Sequence, residues 1–133
     1  MSLRFITTGY FCSDISARPR PVDVEITCYR NSHHYTVHFR FRSITLSMPF
    51  GMLKNIARQA RAAFAQHGKV EMSGQVNISS RSVSGSAISQ SVNVVFNTSG
   101  ENADMLSFDL DQNCHISINY NELESAIARD QGL

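Results

Sequence analysis

From Val22 to Arg42 apolar and polar residues alternate, which restricts this stretch to a pair of half-buried β-strands. Val22, Val24, Ile26 and Cys28 are separated by Asp23, Glu25, Thr27 and Tyr29. After Asn31-Ser32-His33, residues Tyr35, Val37, Phe39 and Phe41 are separated by Thr36, His38, Arg40 and Arg42. A period of 2 puts one set on a core face and the other in water. With Ser32-His33 as the turn, Glu25 falls opposite Arg40 and Asp23 opposite Arg42, pairs that favour this register by about 0.2–1 kcal/mol each. Past Arg42 the apolar phase moves to Ile44, Leu46 and Met48. One extra residue near Arg42-Ser43 would do this, as a bulge or as a corner between strands.

The pattern changes after Pro49, a residue tolerated in the first turn of a helix. Leu53, Ile56, Ala57, Ala60, Phe64 and His67 follow helical spacing to about Gln66, and Gly68 is a natural stop. Alternation then returns in Val70-Met72-Val76-Ile78, in Ile88-Val92-Val94-Phe96, in Leu106-Phe108-Leu110 and in Ile116-Ile118-Tyr120. Residues 79–86 read as a Ser/Gly-rich connection. A last helix is expected from Asn121, with Glu124 as its capping-box partner and Leu123, Ala126 and Ile127 as its apolar side. Leu3 to Cys12 reads as a first strand, and Arg18-Pro19-Arg20-Pro21 as an extended loop. The expected class is α+β: a mainly antiparallel sheet of six to eight strands on one central amphipathic helix, with a short C-terminal helix. The 133 residues are read as a single domain. The halves are loosely alike, with Ile56-Ala57-Arg58 and Ile127-Ala128-Arg129 inside the two helices.

Charge is unevenly distributed. From Ile26 to Val70 there is no acid, against Arg30, Arg40, Arg42, Lys54, Arg58, Arg61 and Lys69. From Glu71 onward the acids Glu71, Glu101, Asp104, Asp109, Asp111, Glu122, Glu124 and Asp130 face only Arg81 and Arg129. The net charge of +1 conceals this asymmetry. No run is long and apolar enough for a membrane helix. The N-terminus lacks the apolar stretch of a leader. Cys12, Cys28 and Cys114 are odd in number and widely spaced, which favours reduced thiols and a cytoplasmic location.

No catalytic motif is present, and no catalytic residue, metal or cofactor is assigned. His34 and His38 share a strand face about 13 Å apart, too far for one ion; their acidity should be raised by neighbouring arginines. Asp109-x-Asp111-x-Asn113 begins like a calcium loop, but Cys114 stands where that loop needs glycine and Tyr120 where it needs glutamate. The cysteines are expected to be inert packing.

The candidate site is basic. Lys54, Arg58 and Arg61 lie on one helix face, His38, Arg40 and Arg42 on the wet hairpin face, and Arg18 and Arg20 in a loop able to lie beside either. The expected function is a small, non-enzymatic binding module of adaptor, immunity or inhibitor type. It would engage an acidic protein partner, or its own acidic half in a second copy, as a homodimer. The same surface could instead hold single-stranded nucleic acid, with Tyr10, Tyr29 or Tyr35 stacking on bases. Against this stand a pI near 7.8 and the absence of tryptophan. An enzyme with a dispersed site is the third reading, to be revived by a pocket joining His38 or His115 to a thiol or carboxylate.

Overall fold

The structure, a computed structural model, describes residues 2–12, 18–32, 34–42, 44–67, 69–80, 88–97, 104–110 and 115–132. The alternating segments form eight strands. The first four are β1 (Ser2–Cys12), β2 (Arg20–Asn31), β3 (His34–Phe41) and β4 (Ile44–Pro49). The second four are β5 (Lys69–Ser80), β6 (Ile88–Asn97), β7 (Met105–Asp109) and β8 (His115–Asn119). Helix α1 (Phe50–His67) follows β4, and α2 (Tyr120–Asp130) follows β8. Each strand pairs antiparallel with the next, and β8 returns to β1, so the sheet closes into a barrel.

The expected helix packed on a mainly antiparallel sheet is present in part: the sheet closes, and α1 covers one end of it together with α2. In a meandering barrel all even-numbered strands run the same way, so both helices leave from one end, the helix end. There they close the barrel with Leu53, Ile56, Ala57 and Ala60 of α1 and Tyr120, Leu123, Ala126 and Ile127 of α2. The barrel interior is filled by Val24, Ile26, Val37, Phe39, Leu46, Val94, Phe96, Leu106, Phe108, Ile116 and others. Eight strands leave a lumen that such side chains can fill. This interior is a packed core.

The hairpin register is as read from the alternation. Glu25 lies opposite Arg40, and Asn31 opposite His34 across the turn. Asp23, however, is not paired with Arg42. Phe41 lies opposite Ile44, and Arg42 turns the chain at φ +53° between them. The phase change at this point is therefore a tight hairpin, neither a bulge nor a corner. Pro49 ends β4 and does not open α1. The second helix begins one residue early, at Tyr120, and its cap is Asn119, whose side chain accepts from the Asn121 N–H. Glu124 makes no capping box; it reaches across to Arg61.

The two halves repeat each other in register. Leu46 opposite Ile78, at the β4–β5 seam, corresponds to Ile116 opposite Phe11, at the β8–β1 seam. Glu25 opposite Arg40 corresponds to Asn93 opposite Asp109, and Thr36 opposite Pro49 to Met105 opposite Asn119. The helices then begin at equivalent residues, Phe50 and Tyr120, whose rings stack 6.3 Å apart. The Ile-Ala-Arg match is one residue out of step with this: Ile56 is equivalent to Ala126. Each helix is pinned to the opposite half at its C-terminal part. Arg61 of α1 pairs with Asp104, just before β7, at 3.6 Å, and the Tyr35 hydroxyl of β3 donates to Asp130 of α2 at 2.6 Å. By the same register Tyr35 and Asp104 are equivalent positions.

Candidate functional site

The basic residues singled out from the sequence do not form one surface. Strand β3 starts at the helix end, so Arg40 and Arg42 lie toward the far end, away from α1. Arg20 opens β2 at that far end, opposite Phe11, and the Arg42 guanidinium sits 4.7 Å above the Phe11 ring. Arg18 is exposed two residues earlier. Arg18, Arg20 and Arg42 therefore lie at the far end, while Arg40 lies further back opposite Glu25, with Asp23 and Glu25 beside Arg40 and Arg42. Glu25 is taken up by Arg4, at 2.9 Å. Arg40 and Arg42 make no ion pair with another described residue.

At the helix end the basic face is partly consumed. Arg61 bonds Glu124 at 3.2 Å and the Asn121 amide oxygen at 3.1 Å, and its guanidinium lies 5.7 and 5.6 Å from the Phe96 and Tyr120 ring centres. Burial against those rings works against its charge, but Glu124 and Asp104 outweigh this and hold its acidity below that of a free guanidinium. Arg61 is a fastening between α1, α2 and β7. Arg58 donates to Asn55 on its own helix at 2.9 Å, and Lys54 is exposed. What remains here is a shallow hollow lined by Gly51, Lys54, Asn55, Arg58, Arg61 and Glu124.

His38 lies on the outer face, half-buried between the Tyr29 ring, 4.9 Å away, and the Ser47 hydroxyl at 3.4 Å. Its pKa is lowered, and the cause is burial, not the like charge expected from the arginines. A folded-state pKa below the unfolded one means that the unfolded chain binds the proton more readily. Stability then falls as pH drops through the ordinary histidine range and levels off below the folded pKa. His38→Gln should flatten the urea-unfolding free energy against pH over that window. An unchanged slope would show that His38 is not the group responsible.

The conditions for an enzymatic reading are met only in register. Cys12 lies opposite His115, and His115 opposite Asp109, so a thiol, an imidazole and a carboxylate are neighbours across three strands. Yet Cys12 is 3% exposed, Asp109 accepts from the Asn93 amide at 3.1 Å, and no group of three such side chains converges among the described residues. Cys28 is fully buried, and burial, with the Asp130 carboxylate adding to it, pushes its thiol up to about 11. A thiol so placed is a poor nucleophile at neutral pH. Asp111, Asn113, Cys114 and the connection at 81–87 lie outside the described residues, as do His33 and Ser43.

One feature had no signal in the periodicity. A groove of about 780 Å³ crosses the β8–β1 seam on the outer surface. Ile6, Thr8 and Tyr10 of β1 form one wall, Ser107, Ser117 and Asn119 the other, with Pro19 and Glu122 also at its edge. The Thr7 hydroxyl donates to Glu122, clasping β1 to α2. Ile6 is 67% and Tyr10 45% exposed. Tyr29 is exposed as well, but at the opposite end of the barrel from Tyr10, and Tyr35 is buried. Among the described residues, no helix is long and apolar enough to cross a membrane. Comparison with protein families, with curated proteins and with solved structures finds no significant match to this chain.

Proposed function

We propose that the protein is a non-enzymatic binding module, of the adaptor, immunity or inhibitor kind, whose far-end arginines engage an acidic protein partner in the cytoplasm. The observation that carries this reading is that two stretches, one with Arg18 and Arg20 and one with Arg40 and Arg42, bring their arginines toward the far end of a barrel whose interior is packed solid, with Arg20 opposite Phe11 and Arg42 above its ring. Asp23 and Glu25 neutralise part of the charge beside Arg40 and Arg42, and an incoming carboxylate would complement the cations left without an ion pair among the described residues. A filled lumen leaves the outer surface as the place for recognition.

The single-stranded nucleic acid reading is weaker on this arrangement. Base stacking needs several aromatic faces along one basic track. Tyr10 and Tyr29 are at opposite ends and Tyr35 is in the core, so Tyr10 stands alone beside the arginines. The helix residues Lys54 and Arg58 take no part in the proposed site.

A direct test uses a glutamate-rich peptide and an oligothymidylate as probes, titrated at low and moderate salt. The peptide should bind, and R20E/R42E should remove that binding while K54E/R58E leaves it intact. Binding of the oligonucleotide with a steep salt dependence, and none of the peptide, would overturn the proposal in favour of nucleic acid.

A further inference from the structure

The register equivalence of the two halves supplies an internal control for what the fold itself requires. The exposed residues on the outer strip of β5 include Ser73, Gln75 and Asn77; the equivalent positions on β1 are Ile6, Thr8 and Tyr10. Both strips run alongside a seam between halves, and both belong to strands of the same role. A strand in this position is thus compatible with small polar residues. Ile6 and Tyr10 face outward and lie outside the core cluster. Their exposure has a cost in water that the β5 strip avoids.

We infer that the groove over the β8–β1 seam seats an extended segment of the acidic partner, with a carboxylate at the Pro19 end and aliphatic side chains against Ile6 and Tyr10. This rests on the reading above and names the mode of binding. Ile6, Thr8 and Tyr10 repeat every two residues along a strand, a spacing of about 7 Å that matches alternate side chains of an extended peptide. On the facing wall the Ser107 and Ser117 hydroxyls bond each other at 2.7 Å and the Asn119 oxygen caps α2, which leaves one hydroxyl proton and the Asn119 amide N–H groups to a peptide main chain. The charges orient the occupant. Pro19, at one end, lies between exposed Arg18 and Arg20, whereas Glu122 borders the other. The acidic end of the segment therefore lies toward Arg18 and Arg20, and its other end carries no acid.

The test is a selection of heptapeptides displayed on phage against the whole protein, followed by affinity measurements on the selected peptides as synthetic probes. The variants are I6S/Y10N, which installs the residues of the equivalent β5 positions, R18E/R20E and K54E/R58E. I6T serves as a second groove variant with strong strand propensity. Selected peptides should combine alternating aliphatic residues with a carboxylate at one end. Their affinity should fall at least tenfold in I6S/Y10N and in R18E/R20E, fall measurably in I6T, and hold in K54E/R58E. Acidic peptides weakened by R18E/R20E but not by I6S/Y10N or I6T would overturn the groove and leave the arginine site standing. Peptides without carboxylates would overturn both. Self-association in sedimentation that I6S/Y10N abolishes would assign the groove to a second copy and overturn the inference.

Discussion

Tyr120→Ala should cost about 3–5 kcal/mol, a large part of the stability of a domain this size. Tyr120 is fully buried, stacks on Phe50, meets the Phe96 ring edge-on at 5.6 Å and lies under the Arg61 guanidinium. Its removal would leave a void where both helices and both halves meet. The comparison that isolates this packing effect is Tyr120→Phe. The Tyr120 hydroxyl is buried and makes no hydrogen bond of ordinary geometry to a described residue, although Glu124 is near enough to add to the rise in its pKa that burial causes. Removing an unsatisfied hydroxyl while keeping the ring should be neutral or mildly stabilising. Urea denaturation of both variants measures this. A strongly destabilised phenylalanine variant would show that the hydroxyl has a partner.

Gly9→Ala should cost about 1–3 kcal/mol, although the position is mid-strand and alanine is otherwise the milder residue there. A Cβ at Gly9 would stand 2.7 Å from a Val24 methyl and 2.9 Å from the Ser117 backbone oxygen. The backbone oxygen cannot swing aside, so the β8–β1 seam must open. The equivalent residue at the other seam is Val76, whose larger side chain is buried there. Gly51→Ala is the matched control: its Cβ meets nothing within 4 Å on the exposed first turn of α1, and helix propensity favours the change by up to about 1 kcal/mol. Thermal midpoints of the two variants should move in opposite directions. Equal shifts would mean that the seam relaxes at no cost.

Much of the fold was legible in the alternation of side chains. Both hairpin turns before α1 switch the buried set from even to odd numbers and back, as a two-residue turn must when residues i and i+3 face each other. Asn31 opposite His34 and Phe41 opposite Ile44 are the same event. The second turn has no local mark, because Arg42-Ser43 lacks the glycine or asparagine usual in such turns, even though Arg42 takes φ +53°. The start of α2 is hidden for a related reason. Tyr120 fits the alternation of β8, but the Asn119 cap makes it the first residue of the helix, with its ring stacked on Phe50.

The candidate site was less legible. The basic residues were visible, but their grouping depends on which strand ends coincide. Arg18 and Arg20 join Arg42 because β1 brings Phe11 to both. Arg61 leaves the group because α2 brings Glu124 to it. The charge asymmetry therefore persists on the sheet, where β3 and β7 are not neighbours, and partly cancels between the helices.

By itself the sequence determined the strands, their facing sets and the two amphipathic helices, because these follow from periods of two and 3.6 along a local chain. Only the tertiary structure decided the closure, the repeat of register between halves and the groove at their seam. Those depend on pairing β1 with β8, residues more than a hundred positions apart, and no local period encodes that contact.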